Sequence, residues 1–111
     1  MRWLLILFLV VAASGCAGTI SNEVAHQGVS EQHAVLLDVR STGEFAEGHL
    51  DGAINVPVGE LEGKLGTLPF GKDQPVVVYC HSGLRASRAM SVLKGAGFTK
   101  VESLGAMSNW K

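Results

Sequence analysis

The sequence predicts an α/β domain with a small, mainly parallel central sheet flanked by helices. Two apolar runs carry that expectation, AVLLDV at residues 34–39 and PVVVY at residues 75–79. Neither shows the polar alternation of a half-exposed strand, so both read as strands buried on two faces. Helical spacings lie between and after them, and strands alternating with helices build parallel sheets. In such sheets ligands collect at the carboxyl ends of the strands.

The first sixteen residues, MRWLLILFLVVAASGC, are set apart from the domain. Arg2 precedes an uninterrupted apolar stretch from Trp3 to Ala13, then small residues and a cysteine, the plan of a bacterial export signal. The stretch is shorter than the roughly 20 residues that cross a bilayer, which disfavours a permanent span. Ala13-Ser14-Gly15-Cys16 resembles a lipobox, in which the cysteine is acylated and becomes the new N-terminus, although leucine is more usual where Ala13 stands. Ordinary cleavage near Gly15 or Ala17 is the competing reading. Either way the mature domain, residues 17–111, is expected in the periplasm or cell envelope, and acylated Cys16 would anchor it to the membrane.

Along the mature chain, Thr19-Ile20-Ser21 reads as a short edge strand, with Ser21 or Asn22 capping a brief helix that Gly28 ends. The strand at 34–39 brings Asp38 and Arg40 to its carboxyl end. Ser41 or Thr42 caps a short helix through Ala46, with Glu44 in the first turn where a negative charge suits the helix dipole, and Gly48 ends it. Residues 53–56 form a short strand halted at Pro57, and Val58, Leu61 and Leu65 mark a weak helical turn before a loop containing Pro69 and Gly71. The three consecutive valines of PVVVY place that strand at the sheet centre. Ala86, Ala89, Met90, Val92, Leu93 and Ala96 then fall on one stripe of a helix from Arg85 to Ala96, and residues 100–104 supply a last strand.

A chain of 111 residues with formal net charge -1 has room for one core and presents no basic stripe, so nucleic acid is excluded as a partner. Of the two cysteines, Cys16 falls at the processing site, which leaves Cys80 without an intramolecular partner in an exported protein. No histidine stands at ligand-like spacing from a cysteine, and no metal is expected.

Cys80 closes the central strand, and a helix begins just beyond the loop His81-Ser82-Gly83-Leu84. A helix N-terminus offers unpaired N–H groups and partial positive charge, which stabilise a thiolate or a bound anion. Gly83 suits a tight cradle, though an ordinary turn glycine would look the same. Arg85 is suited to two-pronged binding of an oxyanion. Its charge is unfavourable against the helix dipole unless an anion or carboxylate lies nearby. His81 adjoins Cys80 directly, and neighbouring side chains in a curled loop diverge, so it reads as a loop-wall residue and not as a general base. The physics points to a reactive thiol without naming its substrate.

Four ordered blocks then match a family: LLDVR at 36–40, EFAEGHLDGAINVP at 44–57, VVVYCHSGLRA at 76–86 and GFTKVESLGAMSNW at 97–110. The chain resembles a single-domain rhodanese, or thiosulfate sulfurtransferase, of the exported kind, with Gly105-Ala106 where a glycine pair is common. The resemblance implies that Cys80 takes the outer sulfur of thiosulfate as a persulfide and passes it to cyanide or a thiol. It implies no cofactor beyond that covalent intermediate. His81, Ser82, Gly83, Leu84 and Arg85 would bind the substrate, and Asp38, Arg40, Glu44 and His49 would form one polar network tying strand ends to the short helix. A monomer is expected. Phosphatase-like relatives place five residues between cysteine and arginine, whereas four separate Cys80 from Arg85, a cradle better sized for one sulfur atom. The other alternative is a non-enzymatic envelope module that binds anions or carries persulfide sulfur.

Overall fold

The computed structural model describes residues 18–111, so the export segment and Cys16 lie outside it. Four strands, β1 (Val35–Asp38), β2 (Ile54–Asn55), β3 (Val76–Cys80) and β4 (Val101–Ala106), form one sheet in the order β2-β1-β3-β4. Every neighbouring pair is parallel. The helices are α1 (Asn22–Gln32), α2 (Thr42–Glu47), α3 (Val58–Leu61) and α4 (Leu84–Gly95), with 3-10 turns at Glu62–Thr67 and Met107–Asn109. The α/β class and the central position of the valine-rich strand are as the sequence predicts.

Alternation along β3 divides the core in two. Val76, Val78 and Cys80 face a layer built by α3, α4, Phe70 and Phe98, while Val77 and Tyr79 face the α1 side with Ile20, Ala25, Leu36 and Leu104. All five residues of β3 are buried. A strand covered on both faces needs no polar alternation, which is why its run of valines is continuous. Truncating a side chain at its heart, such as the fully buried Leu37, would cost about 2–5 kcal/mol.

Two expectations fail at the N-terminal side. Thr19-Ile20-Ser21 is not a strand: only Ile20 N–H reaches β4, donating to Ser103 O at 2.8 Å. Gly28 does not end α1, which continues to Gln32 and stops at His33 in a left-handed conformation, φ 56°. A glycine inside a helix costs about 0.5–1 kcal/mol relative to alanine. A Cβ on buried Gly28 would lie 3.6 Å from Ala34 Cβ, an ordinary contact, so alanine would fit at this position.

One irregularity shapes the carboxyl end of the sheet. Val78 pairs with Ser103 but Tyr79 pairs with Gly105, so Leu104 is an extra residue in β4. Gly105 takes φ 82°, and a Cβ there would meet Thr19 Cγ2 at 3.1 Å. The bulge therefore needs a glycine at 105, both for its backbone angle and for the close approach of the N-terminal segment.

Candidate active site

The alternation that buries Val76 and Val78 beneath α4 also aims Cys80 at the start of that helix. Gly83, with φ 104°, turns the chain so that only three residues, His81 to Gly83, lie between the strand and α4. Gly83 N–H then points at Cys80 Sγ from 2.9 Å and Ala86 N–H from 3.3 Å. Both belong to the helix N-terminus, where N–H groups have no partner within the helix. Donors converging on one atom stabilise negative charge there. Cys80 is fully buried and unpaired, so its sulfur forms the floor of a cradle whose rim is the loop. Gly83 cannot be replaced cheaply, because its φ of 104° lies in the left-handed region that side chains rarely adopt.

The remaining predicted residues divide by position. Arg85 is half-buried beside the cradle, whereas His81 and Ser82 are exposed and Leu84 is 80% exposed. The loop thus brings Cys80, Gly83 and Arg85 together and leaves the side chains of His81, Ser82 and Leu84 on its outer surface.

Arg85 is held by a carboxylate that the sequence reading put elsewhere. Its Nη1 donates to Glu44 Oε1 at 2.8 Å and its Nη2 to Glu44 Oε2 at 3.1 Å. Glu44 is itself fixed by a capping box: Ser41 Oγ accepts from Glu44 N–H at 3.2 Å, and Glu44 Oε1 accepts from Ser41 N–H at 3.0 Å. The Arg85 guanidinium, then the Ser41 N–H, hold the Glu44 carboxyl far below its usual range. Reciprocally, Glu44 raises Arg85, and Cys80 adds to the rise. The carboxylate answers the dipole penalty that a cation meets at a helix N-terminus. The adjacency follows from the sheet: β1 and β3 are paired neighbours with Asp38 opposite Tyr79, so the segments that leave them start α2 and α4 side by side.

The single polar network expected of Asp38, Arg40, Glu44 and His49 is instead separate pieces. Arg40 Nη2 donates to Asp38 Oδ2 at 2.6 Å and to Gly48 O at 2.7 Å, with Arg40 5% exposed and Asp38 fully buried. Asn55 Nδ2 donates to Asp38 O and Arg40 O, tying in the end of β2. His49 stacks on Phe45 with ring centroids 3.7 Å apart, its Nδ1 at 2.8 Å from Phe45 O, while Glu44 turns to Arg85. Beneath them the Tyr79 hydroxyl accepts from Leu50 N–H at 3.1 Å, and burial pushes the phenol up to about 12. Among the described residues no group of three His, Cys, Asp or Glu side chains is placed to hold a metal ion.

A family model described as the rhodanese-like domain matches residues 21–111. The thiosulfate sulfurtransferase PspE of Escherichia coli K12 is 33% identical over 73 residues, which span 66% of this chain and 70% of that protein. A sulfurtransferase of Allochromatium vinosum is 30% identical over 95 residues, 80% of this chain and 87% of that one. Among solved structures, the human single-domain sulfurtransferase superposes with a TM-score of 0.76 at 30% identity, covering 83% of this chain and 93% of the human one. A rhodanese with anions from E. coli gives 0.64 at 32% identity, covering 68% and 89%.

Proposed function

The chain belongs to the rhodanese-like domain family, and from that premise we propose a thiosulfate sulfurtransferase that works through a persulfide on Cys80. The sulfur of Cys80 attacks the outer sulfur of thiosulfate. The sulfur–sulfur bond of the donor breaks, and sulfite leaves with the electron pair. Cyanide or a thiolate then attacks the outer persulfide sulfur, and Cys80 departs as thiolate. One hard transfer becomes two easier displacements, with no cofactor required.

The observation that carries the reading is the convergence of Gly83 N–H and Ala86 N–H on Cys80 Sγ at 2.9 and 3.3 Å. Such donors suit a sulfur that bears negative charge before attack and again as a leaving group. Arg85 is the candidate ligand for the sulfonate oxygens of the donor, its planar donors matching an oxyanion, and Glu44 keeps it oriented in the free protein. The experiment is conversion of thiosulfate and cyanide to thiocyanate by the purified mature domain. Cys80→Ser is expected to remain folded and inactive; a wild-type rate no greater than the variant's would sink the assignment.

The cell envelope is the proposed location, with Cys16 as the acylated anchor. The support is in the order of residues: Arg2, the apolar stretch from Trp3 to Ala13, then the small residues before Cys16. A lipid-sized mass increase on the N-terminal peptide of the exported protein is expected; recovery of a free Ala17 or Gly18 terminus would reject the anchor.

A further inference from the structure

Beside the mouth of the cradle, a groove of about 340 Å³ runs along the exposed side of α4, lined by Leu84, Arg85, Ser87, Arg88 and Ser91. These positions recur three and four apart, so they share one face of the helix, turned away from the buried Ala86, Ala89, Met90 and Leu93. The groove starts at the rim of the cradle: Leu84 and Arg85 lie between Gly83 and Ala86, whose N–H groups point at Cys80 Sγ from 2.9 and 3.3 Å.

The two cations of the groove are not equivalent. Arg85 is held by Glu44, Nη1 to Oε1 at 2.8 Å. Arg88, one turn on, is exposed and makes no ion pair among the described residues, and the first turn of α4 carries no acidic residue. Leu84, 80% exposed, adds an apolar wall one turn before Arg88. A reacting sulfur at one end, an apolar wall and an unpaired guanidinium match a ligand with a thiolate, a short hydrocarbon stem and a carboxylate. Thiosulfate does not span this groove, because its sulfonate is bonded directly to the transferred sulfur and so belongs at the rim, with Arg85.

We infer that the groove is the subsite of the sulfur acceptor, and that it selects thiols bearing a carboxylate, which Arg88 binds. The inference rests on persulfide chemistry at Cys80 as proposed above. The acceptor thiolate bonds to the outer persulfide sulfur, the sulfur–sulfur bond breaks with its electron pair going to Cys80 Sγ, and the acceptor leaves as a persulfide. Arg88 touches no reacting atom; it sets which thiol is held at the mouth.

The test uses full-length protein, purified in detergent, loaded with thiosulfate and freed of excess donor. Loss of the added sulfur is followed by intact mass after mixing with 3-mercaptopropionate or with 3-mercaptopropionamide, its neutral counterpart, at one pH and ionic strength. The readout is the ratio of the two second-order rate constants within each protein, in which any change in the persulfide itself cancels. Arg88→Ala is expected to lower the acid-to-amide ratio about three- to fivefold, the size of one solvent-exposed ion pair, and Arg88→Lys to restore most of it. An unchanged ratio in Arg88→Ala overturns the subsite. So does an equal fall in Lys94→Ala, a cation exposed on the same helix but outside the groove. Loading that succeeds and is reversed by cyanide, with the ratio unmoved, refutes the subsite alone; protein that takes up no sulfur from thiosulfate refutes the persulfide chemistry and the subsite with it.

Discussion

Asp38–Arg40 and Glu44–Arg85 pair the same functional groups under different solvent access. In the first pair the side chains are 0% and 6% exposed, and Arg40 also donates to Gly48 O. In the second they are 34% and 37% exposed, and Glu44 reaches Arg85 across 41 positions of sequence. A buried pair cannot exchange partners without leaving a charge in the core, so it holds shape. A pair open to water can release one partner to an incoming anion at little cost, so it can take part in binding. Exposure, more than chemistry, fixes Arg40 in the fold and leaves Arg85 open for the proposed anion-binding role.

The sharpest way to break that contrast is to remove each arginine in turn. Arg40→Met leaves Asp38 buried and unpaired and is expected to lower unfolding free energy by about 3–5 kcal/mol, measured by denaturant titration. Arg85→Met should leave the midpoint almost unmoved. Equal losses would mean that the two pairs do the same work.

Activity should show the reverse order. Losing charged hydrogen bonds to the donor, worth about 1.5–3 kcal/mol, predicts that Arg85→Ala raises the thiosulfate KM roughly 10- to 100-fold. Arg88→Ala, exposed and outside the cradle, should change it little. Matching effects from the two arginines would show that Arg85 is not the anion ligand.

A smaller effect separates the roles of Glu44. Glu44→Gln keeps the capping geometry but weakens the hold on Arg85, so the thiosulfate KM should fall a few-fold while kcat stays constant. Because Arg85 holds this carboxyl below its ordinary 4.5, the pair is fully formed above that pH and is lost only as pH falls through the lower folded value. Between neutral and mildly acidic pH the wild-type KM should therefore show no step attributable to Glu44. A step near the ordinary carboxylate range would mean that Arg85 does not hold it.

The smallest effect lies under the buried pair. Tyr79 is the single tyrosine, so tyrosinate absorbance reports it alone. Burial raises it from 10.0 to about 12. Between those values the folded chain holds a proton that the unfolded chain has lost, so its contribution is complete below pH 10 and declines as pH rises toward 12. Titration at the ordinary value in the folded protein would show that water reaches the ring.

Most of this fold could be read from the sequence because its strands are short and continuous in apolar character, and a strand covered on both faces leaves no other reading for VVVY. The cysteine, the loop length and the start of α4 were legible for the same reason, being local. What was not legible depends on neighbours. The Ser41-to-Glu44 spacing announces a capping box, but its carboxylate reaches Arg85 only because β1 and β3 pair, and nothing local encodes that pairing. Gly28 reads as a stop by propensity, yet α1 runs on to Gln32 and ends at His33, whose N–H donates to Gly28 O. Thr19 to Ser21 looks like strand, but the chain turns into α1 after one bond to β4, at the bulge that Gly105 permits.

The central claim is that Cys80 accepts sulfur inside a cradle of backbone donors. Intact-mass measurement of the mature domain after brief exposure to thiosulfate, followed by peptide mapping, tests it most directly. The expected result is a gain of one sulfur atom on the peptide carrying Cys80, absent in Cys80→Ser and removed by cyanide. An unchanged mass, or a sulfur gained equally by the serine variant, would contradict it.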